Sequence, residues 1–242
     1  MNHAIILAGG VGQRMRSSGM PKQFLEVFGK PIIVYTLEKF EFCEGIDKII
    51  IVCNSGWIEH MQDLIRQYSF RKVEKVVAGG KNRQTSLKNG LKYIIDKGGQ
   101  YEDIIVIHDG VRPLVEMNII DENIRVAERY GSAMTVKPVI ESVVITDKQE
   151  AVFTDFKKRD DTYSLTAPQS FKLRNIMTVY NTPEPVRQPF PLLDAALAYT
   201  YLGNDIHVVV ENNNNLKITT PEDYYIFKAM LELEENKYVF GL

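Results

Sequence analysis

The stretch AIILAGGVGQRMRSSGMPKQF, residues 4–24, decides how this chain is read. An apolar run climbs into glycines at 9, 10 and 12, Arg14 follows at once, and Lys22 stands behind Pro21. A short apolar run broken by glycine predicts a buried strand that ends in a tight turn. Glycines put no Cβ between backbone and ligand, and successive N–H groups in such a turn form a concave anion site, stronger where a helix starts beyond it. A bare strand-to-helix turn would use the same glycines, so the two cations that follow carry the argument for an anion.

Two common phosphate loops are excluded. A P-loop places Gly-Lys-Ser/Thr after its glycines, whereas Gly12 is followed by Gln13 and Arg14. A dinucleotide fingerprint needs a third small residue where Met15 stands, and an acidic residue ending the second strand where Asn54 stands. What remains is a glycine loop with a planar donor fork, Arg14, and a compact point charge, Lys22. Substitution at the α-phosphorus of a triphosphate spreads charge over several oxygens. Two fixed cations, with a magnesium ion carried by the phosphates, would stabilise it.

Working outward, residues 3–8, 48–53, 73–78 and 103–108 predict strands. Helical patterns lie between and after them at 31–42, 57–68, 83–95 and 117–130. Continuous Ile/Val runs separated by amphipathic helices predict an α/β sandwich, Rossmann-like, with a mostly parallel central sheet. Its functional loops belong at the carboxyl ends of the strands. After Lys137-Pro138 the rhythm changes. Residues 143–146 and 151–154 predict a hairpin, and the charged run KKRDD follows at 157–161. A single domain, 1–242, with a protruding β-arm over about 139–161 accounts for the pattern. The α/β rhythm resumes with a strand at 207–211, a short asparagine loop at 212–215, and a helix at 221–235 opened by Pro221.

Composition bounds the function. The 242 residues are 45% hydrophobic and 25% charged, with a net charge of -2, so no bulk basic excess points to nucleic acid. No run reaches the ~18 apolar residues of a membrane span. The N-terminal run stops at Gly9 without a basic leader, unlike a signal peptide. Two loosely spaced cysteines, Cys43 and Cys53, predict buried free thiols and a reducing, cytoplasmic setting. His3, His60 and His207 lack metal-ligand spacing. His108, ending an Ile/Val strand, reads as a structural histidine rather than a general base.

Further motifs follow in order: AGGKNRQTSLKNGL at 78–91, HDGVRP at 108–113, Arg159 ten positions before Gln169 of APQSF, LLDAA at 192–196, and NLKITTPED at 215–223. With LAGGVGQRM and PKQFLEVFGKPI, this set resembles the polyol-phosphate cytidylyltransferases along nearly the whole chain. These include the methylerythritol 4-phosphate enzymes of isoprenoid synthesis and the ribitol 5-phosphate enzymes of teichoic acid synthesis. The resemblance implies that Ala8, Gly9, Gly80 and Ser86 hold cytidine, with Arg83 also on the nucleotide. It implies that Gly10, Gly12, Arg14 and Lys22 hold the triphosphate, the last two as catalytic cations. Asp109 and Arg112 would shape the acceptor side, to which Asp194 also belongs, and Arg159 and Lys217 would grip the acceptor phosphate. Arg159 would come from the partner's arm in a homodimer. The implied substrates are CTP and a small polyol phosphate. Mg²⁺ would sit mainly on nucleotide phosphates, with Asp109 as a possible ligand; lone carboxylates such as Asp109 and Asp194 more often cap or pair locally.

Departures separate the branches. The methylerythritol enzymes typically carry two alanines before the glycine turn, HDAARP, and Thr-Pro-Gln. This chain has Ala8-Gly9, Val111 before Arg112, and Ala167-Pro168-Gln169. These features, with NLKITT, favour the ribitol 5-phosphate branch, although Leu193 replaces the threonine common to both before Asp194. The alternatives are a methylerythritol 4-phosphate acceptor, another sugar-phosphate nucleotidyltransferase, or a non-catalytic nucleotide-binding protein. KYVFGL at 237–242 is unassigned.

Overall fold

The computed structural model describes residues 1–10, 19–147, 153–182, 194–211 and 215–240. In chain order the elements are β1 (Asn2–Ala8), β2 (Glu26–Val27), β3 (Lys30–Pro31), α1 (Ile32–Phe42), β4 (Lys48–Cys53), α2 (Ile58–Gln67), β5 (Val73–Ala78), α3 (Arg83–Asp96), β6 (Ile104–Asp109) and α4 (Met117–Tyr130). There follow β7 (Ser132–Pro138), β8 (Val143–Thr146), β9 (Phe153–Lys157), β10 (Tyr163–Lys172), α5 (Leu173–Asn181), α6 (Ala195–Tyr201), β11 (His207–Val210) and α7 (Pro221–Phe240).

Seven strands form the central sheet in the order β11-β7-β10-β6-β1-β4-β5. Neighbours pair in parallel except β10, which runs antiparallel to both β6 and β7. β1 shows why the sheet is buried on both faces: its side chains alternate between two cores. Ala4, Ile6 and Ala8 join α1, α2 and α4 on one side, with Leu37, Met61 and Ile120. Ile5 packs on the other with Leu87 and Leu91 of α3, Ile176 of α5 and Ala198 of α6. A third cluster, Val27, Ile32, Val111, Ile218 and Phe227, seats α7 beside the end of β6.

Register brings the turns together. Ala8 lies opposite Cys53, Leu7 opposite Asp109, and Cys53 opposite Ala78, so β1, β4, β5 and β6 end at one edge. Their following loops therefore converge there. The β8–β9 hairpin forms a separate two-stranded sheet. Its second strand, Phe153–Lys157, runs three residues past the 151–154 read from sequence; residues 151 and 152 lie outside the described residues. Cys43 and Cys53 are buried free thiols, and burial pushes them up to about 12 and about 11. Among the described residues, no helix is long and apolar enough to cross a membrane.

Candidate active site

At the shared strand edge lies a cavity of about 580 Å³ lined by Ala8, Gly9, Gly10, Lys22, Gly80, Arg83, Ser86, Asp109 and Lys217 of the expected residues. Gln23, Asn54, Lys81, Asn82 and Val111 complete much of the wall. Gly12 and Arg14 lie outside the described residues.

Among the described residues, nothing crowds Gly9 or Gly10. Neither has a φ in the left-handed region. An ideal Cβ on Gly10 meets no described atom within 4 Å, and one on Gly9 comes no nearer to a described atom than 3.8 Å, at Ser86 Oγ. The room they leave opens onto the cavity. Gly110 differs: its Cβ would stand 2.5 Å from Ile33 Cδ1 and 3.3 Å from the Leu7 carbonyl oxygen, so packing explains it. Around the turn, Gln23 Nε2 donates to the Ala8 carbonyl at 2.7 Å and fixes the strand end.

The opposite wall is the start of α3. Asn82 caps it, accepting from the Thr85 N–H at 2.8 Å, while Thr85 Oγ1 accepts from the Asn82 N–H at 3.1 Å. This reciprocal box aims the positive end of a fourteen-residue helix at the cavity. Ser86 Oγ accepts from the Gly80 N–H at 3.0 Å and donates to the Asn82 carbonyl at 2.8 Å, bracing the Gly79-Gly80 turn against the start of α3.

Charge is one-sided. The described lining carries four cations, Lys22, Lys81, Arg83 and Lys217, against one carboxylate, Asp109. Asp109 is buried and meets Lys217 Nζ at 2.9 Å, Arg83 Nη2 at 3.3 Å and Arg112 Nε at 3.3 Å. Burial alone would raise its pKa; the three cations outweigh it and hold the carboxyl well below the usual range. Lys22 Nζ donates to the Ile218 carbonyl at 2.6 Å, tying the first glycine turn to the loop that bears Lys217. Among the described residues no group of three or more His, Cys, Asp or Glu side chains could hold a metal ion. With Asp109 already engaged by three cations, this donor set does not make a protein-held metal cage.

Three expected residues stand outside the lining. Arg112 lies just behind it, with Nη1 donating to the Asn215 carbonyl at 2.7 Å. Asp194 caps α6, accepting from the Ala196 N–H at 3.2 Å. Arg159 is exposed on a short turn after β9. His108 is fully buried, with Nε2–H donating to the Arg112 carbonyl at 3.1 Å. Burial lowers its pKa to about 4, so it is a neutral structural group. The sequence reading assigned no role to Gln23, Asn82, Asn215 or Glu211. An Asn with Thr three positions on was a visible capping signal for Asn82, but nothing local marks the other three.

A cationic, glycine-walled cavity at the carboxyl edge of a parallel sheet is built for a polyphosphate. The profile of the 2-C-methyl-D-erythritol 4-phosphate cytidylyltransferase (IspD) family matches residues 2–233. The chain belongs to this family. Its activity class is therefore nucleotidyl transfer. The ribitol-5-phosphate cytidylyltransferase of Vibrio parahaemolyticus is 41% identical over 243 residues, with 100% of both chains covered. That of Streptococcus agalactiae serotype III is 38% identical over 245 residues, again covering 100% of both. A solved 4-diphosphocytidyl-2C-methyl-D-erythritol synthase from Anaerococcus prevotii superposes with a TM-score of 0.80 at 25% identity, covering 96% of each chain. The family fold is the mostly parallel α/β sandwich expected from sequence.

Proposed function

We propose that this chain transfers the cytidylyl group of CTP to ribitol 5-phosphate, giving CDP-ribitol and pyrophosphate. The observation that carries the reading is a cavity wall in which Gly9 and Gly10, uncrowded by any described neighbour, face Lys22, Arg83 and Lys217. The acceptor assignment is supported by the names of the relatives at 36–41% identity, and by Val111 on the cavity wall.

In the proposed reaction a phosphate oxygen of the acceptor attacks the α-phosphorus of CTP. The new O–P bond forms as the bond from that phosphorus to the bridging oxygen of the β-phosphate breaks, and pyrophosphate leaves with the electron pair. The acceptor is already anionic, so no nucleophilic side chain is needed; bringing two anions into line is the difficulty. Ala8, Gly9, Gly80 and Ser86 hold cytidine, and Gly10, Gly12 and Arg83 hold the phosphates. Arg14 and Lys22 stabilise charge developing on the transferred group. Lys217 and Arg112, fixed by Asp109, receive the acceptor phosphate. Asp194 keeps its capping role and is given no other. A magnesium ion would be held by the nucleotide's own phosphates rather than by a cage of described side chains, and would neutralise their charge.

Arg159 completes the acceptor side of a neighbouring copy in a homodimer. The β8–β9 hairpin supports this, because it exposes Val144, Ile145, Phe153 and Phe156 and a two-stranded sheet is marginal alone. The two buried free thiols support a cytoplasmic setting.

A second reading, transfer to 2-C-methyl-D-erythritol 4-phosphate, is favoured by the family's description and the superposing synthase. Pyrophosphate release with CTP and magnesium, offering both acceptors in parallel, decides between them. Ribitol 5-phosphate is expected to give the higher kcat/KM. A preference for the methylerythritol acceptor would overturn the acceptor assignment, and a preference for GTP or UTP would overturn the cytidylyl assignment.

A further inference from the structure

The asparagine run after β11 ends in a buried contact that the proposed reaction does not use. Glu211, just past β11, is 1% exposed, and its N–H is bound to the Val136 carbonyl at 2.9 Å. Its Oε2 accepts from Asn215 Nδ2 at 3.0 Å, and the same amide group donates to the Ala167 carbonyl at 2.5 Å. Asn215 is itself 5% exposed. A carboxylic acid in such a place costs stability unless something it holds repays the burial. Burial pushes the Glu211 carboxyl up, opposed by the nearby Thr166 hydroxyl, by the Asn215 hydrogen bond and by the charges of Arg112 and Lys137.

What the pair holds is the backbone on which the acceptor cations rest. The Asn215 carbonyl receives Arg112 Nη1 at 2.7 Å. Arg112 Nε meets Asp109 Oδ2 at 3.3 Å, and the same oxygen receives Lys217 Nζ at 2.9 Å. One residue beyond Lys217, the Ile218 N–H is bound to the Val111 carbonyl at 2.9 Å, and the Ile218 carbonyl receives Lys22 at 2.6 Å. The segment carrying Lys217 is thus pinned at Ile218 on one side and at Asn215 on the other. Glu211 and Ala167 take both hydrogens of the second pin.

We propose that Glu211 and Asn215 are positioning residues for the acceptor: they clamp the 215–217 backbone so that Arg112 and Lys217 present their charges together. This rests on the proposed reaction, in which those cations receive the acceptor phosphate. Neither residue lines the cavity, so the clamp acts through Arg112 and Lys217.

Steady-state pyrophosphate release by the full chain tests it, with CTP and the acceptor varied separately. Glu211→Ala is expected to raise KM for ribitol 5-phosphate about tenfold while KM for CTP stays within about threefold of wild type. Glu211→Gln, which keeps an acceptor for the Asn215 amide, is expected to recover the acceptor KM to within about threefold. On a background lacking both cations, Arg112→Ala with Lys217→Ala, Glu211→Ala is expected to add less than about threefold, because the groups it positions are gone. Equal loss for both substrates, a Gln variant as poor as the Ala variant, or a full tenfold effect without Arg112 and Lys217 would each overturn the clamp. If Glu211→Ala melts out, Asn215→Ala must show the same split between substrates. Titration calorimetry with inorganic phosphate provides a readout without turnover: weaker binding in the Glu211→Ala protein is expected, and unchanged binding would overturn the proposal. A wild-type chain that binds phosphate in this Glu211-dependent way yet releases no pyrophosphate would reject the reaction while keeping the clamp.

Discussion

Replacing Gly10 with alanine adds one methyl group at a point where the protein itself leaves space. Its Cβ would have no neighbour within 4 Å among the described residues, and its φ lies outside the left-handed region. Folded Gly10→Ala is therefore unstrained, while its unfolded chain loses freedom. The balance lies between zero and about 1 kcal/mol in favour of the fold. For a chain of this size that is a rise in Tm of at most ~4 °C. The same methyl group enters the cavity where the triphosphate approaches the turn. Overfilling a fitted contact costs about 1–3 kcal/mol, which weakens CTP binding roughly 5- to 150-fold. Thermal melting with and without CTP reads both effects. The ligand-free Tm should equal or slightly exceed wild type, and the rise on adding CTP should shrink. A ligand-free Tm several degrees lower would show that the fold needs this glycine. Unchanged CTP affinity would show that the triphosphate lies elsewhere, and either result refutes the reasoning. Gly110→Ala is the contrast: with Ile33 Cδ1 only 2.5 Å from the new Cβ, it should lower the ligand-free Tm directly.

Lys22→Ala should cut turnover by about 10²–10³-fold with an unchanged circular dichroism spectrum; full activity would remove Lys22 from the reaction. His108 is held neutral by burial, with its pKa lowered from 6.5 to about 4. Between those values the unfolded chain takes up a proton that the folded chain refuses, so stability falls as pH drops through that window, by up to ~3 kcal/mol. Urea unfolding of wild type and His108→Gln from pH 7 to 4.5 checks this, and equal slopes in the two proteins would refute it. For the arm, Arg159→Ala and Lys22→Ala proteins, each inactive alone, should regain roughly a quarter of wild-type activity when their subunits exchange in an equal mixture. No recovery despite exchange would place Arg159 outside the neighbour's site.

The legible parts of the fold were those where one physical signal dominated. β4, KIIIVC, and β6 are continuous apolar runs because both faces of each are covered. β10 was missed because its sequence, YSLTAPQSFK, is polar and carries Pro168 at a break in register, yet it lies between two strands. Part of its polar burial is met through partners distant in sequence: Thr135 Oγ1 donates to the Pro168 carbonyl, and Gln169 Oε1 accepts from the Ala196 N–H. β7, with Thr135 in its middle, hid for the same reason. Local periodicity does not carry the short helices α5 and α6, which pack on the sheet through Ile176 and Ala198. In the site, the glycines and cations were visible as residue types, and the ordered motifs supplied their grouping. Glu211 and Asn215 were not, because their meaning is a hydrogen bond to each other and to Arg112, 103 positions away from Asn215.

The reversed strand β10 has a consequence for where the chain can grow. Because β7 runs with β1 and β6 while β10 runs against them, the end of β7 and the start of β10 meet at the edge where the cavity opens. The connection need not cross the sheet, as a link between parallel strands must. It can lengthen, shorten or change sequence without disturbing a single core pairing. The β8–β9 hairpin occupies that unconstrained position, so its length and sequence could be revised by evolution independently of the cavity at the strand edge.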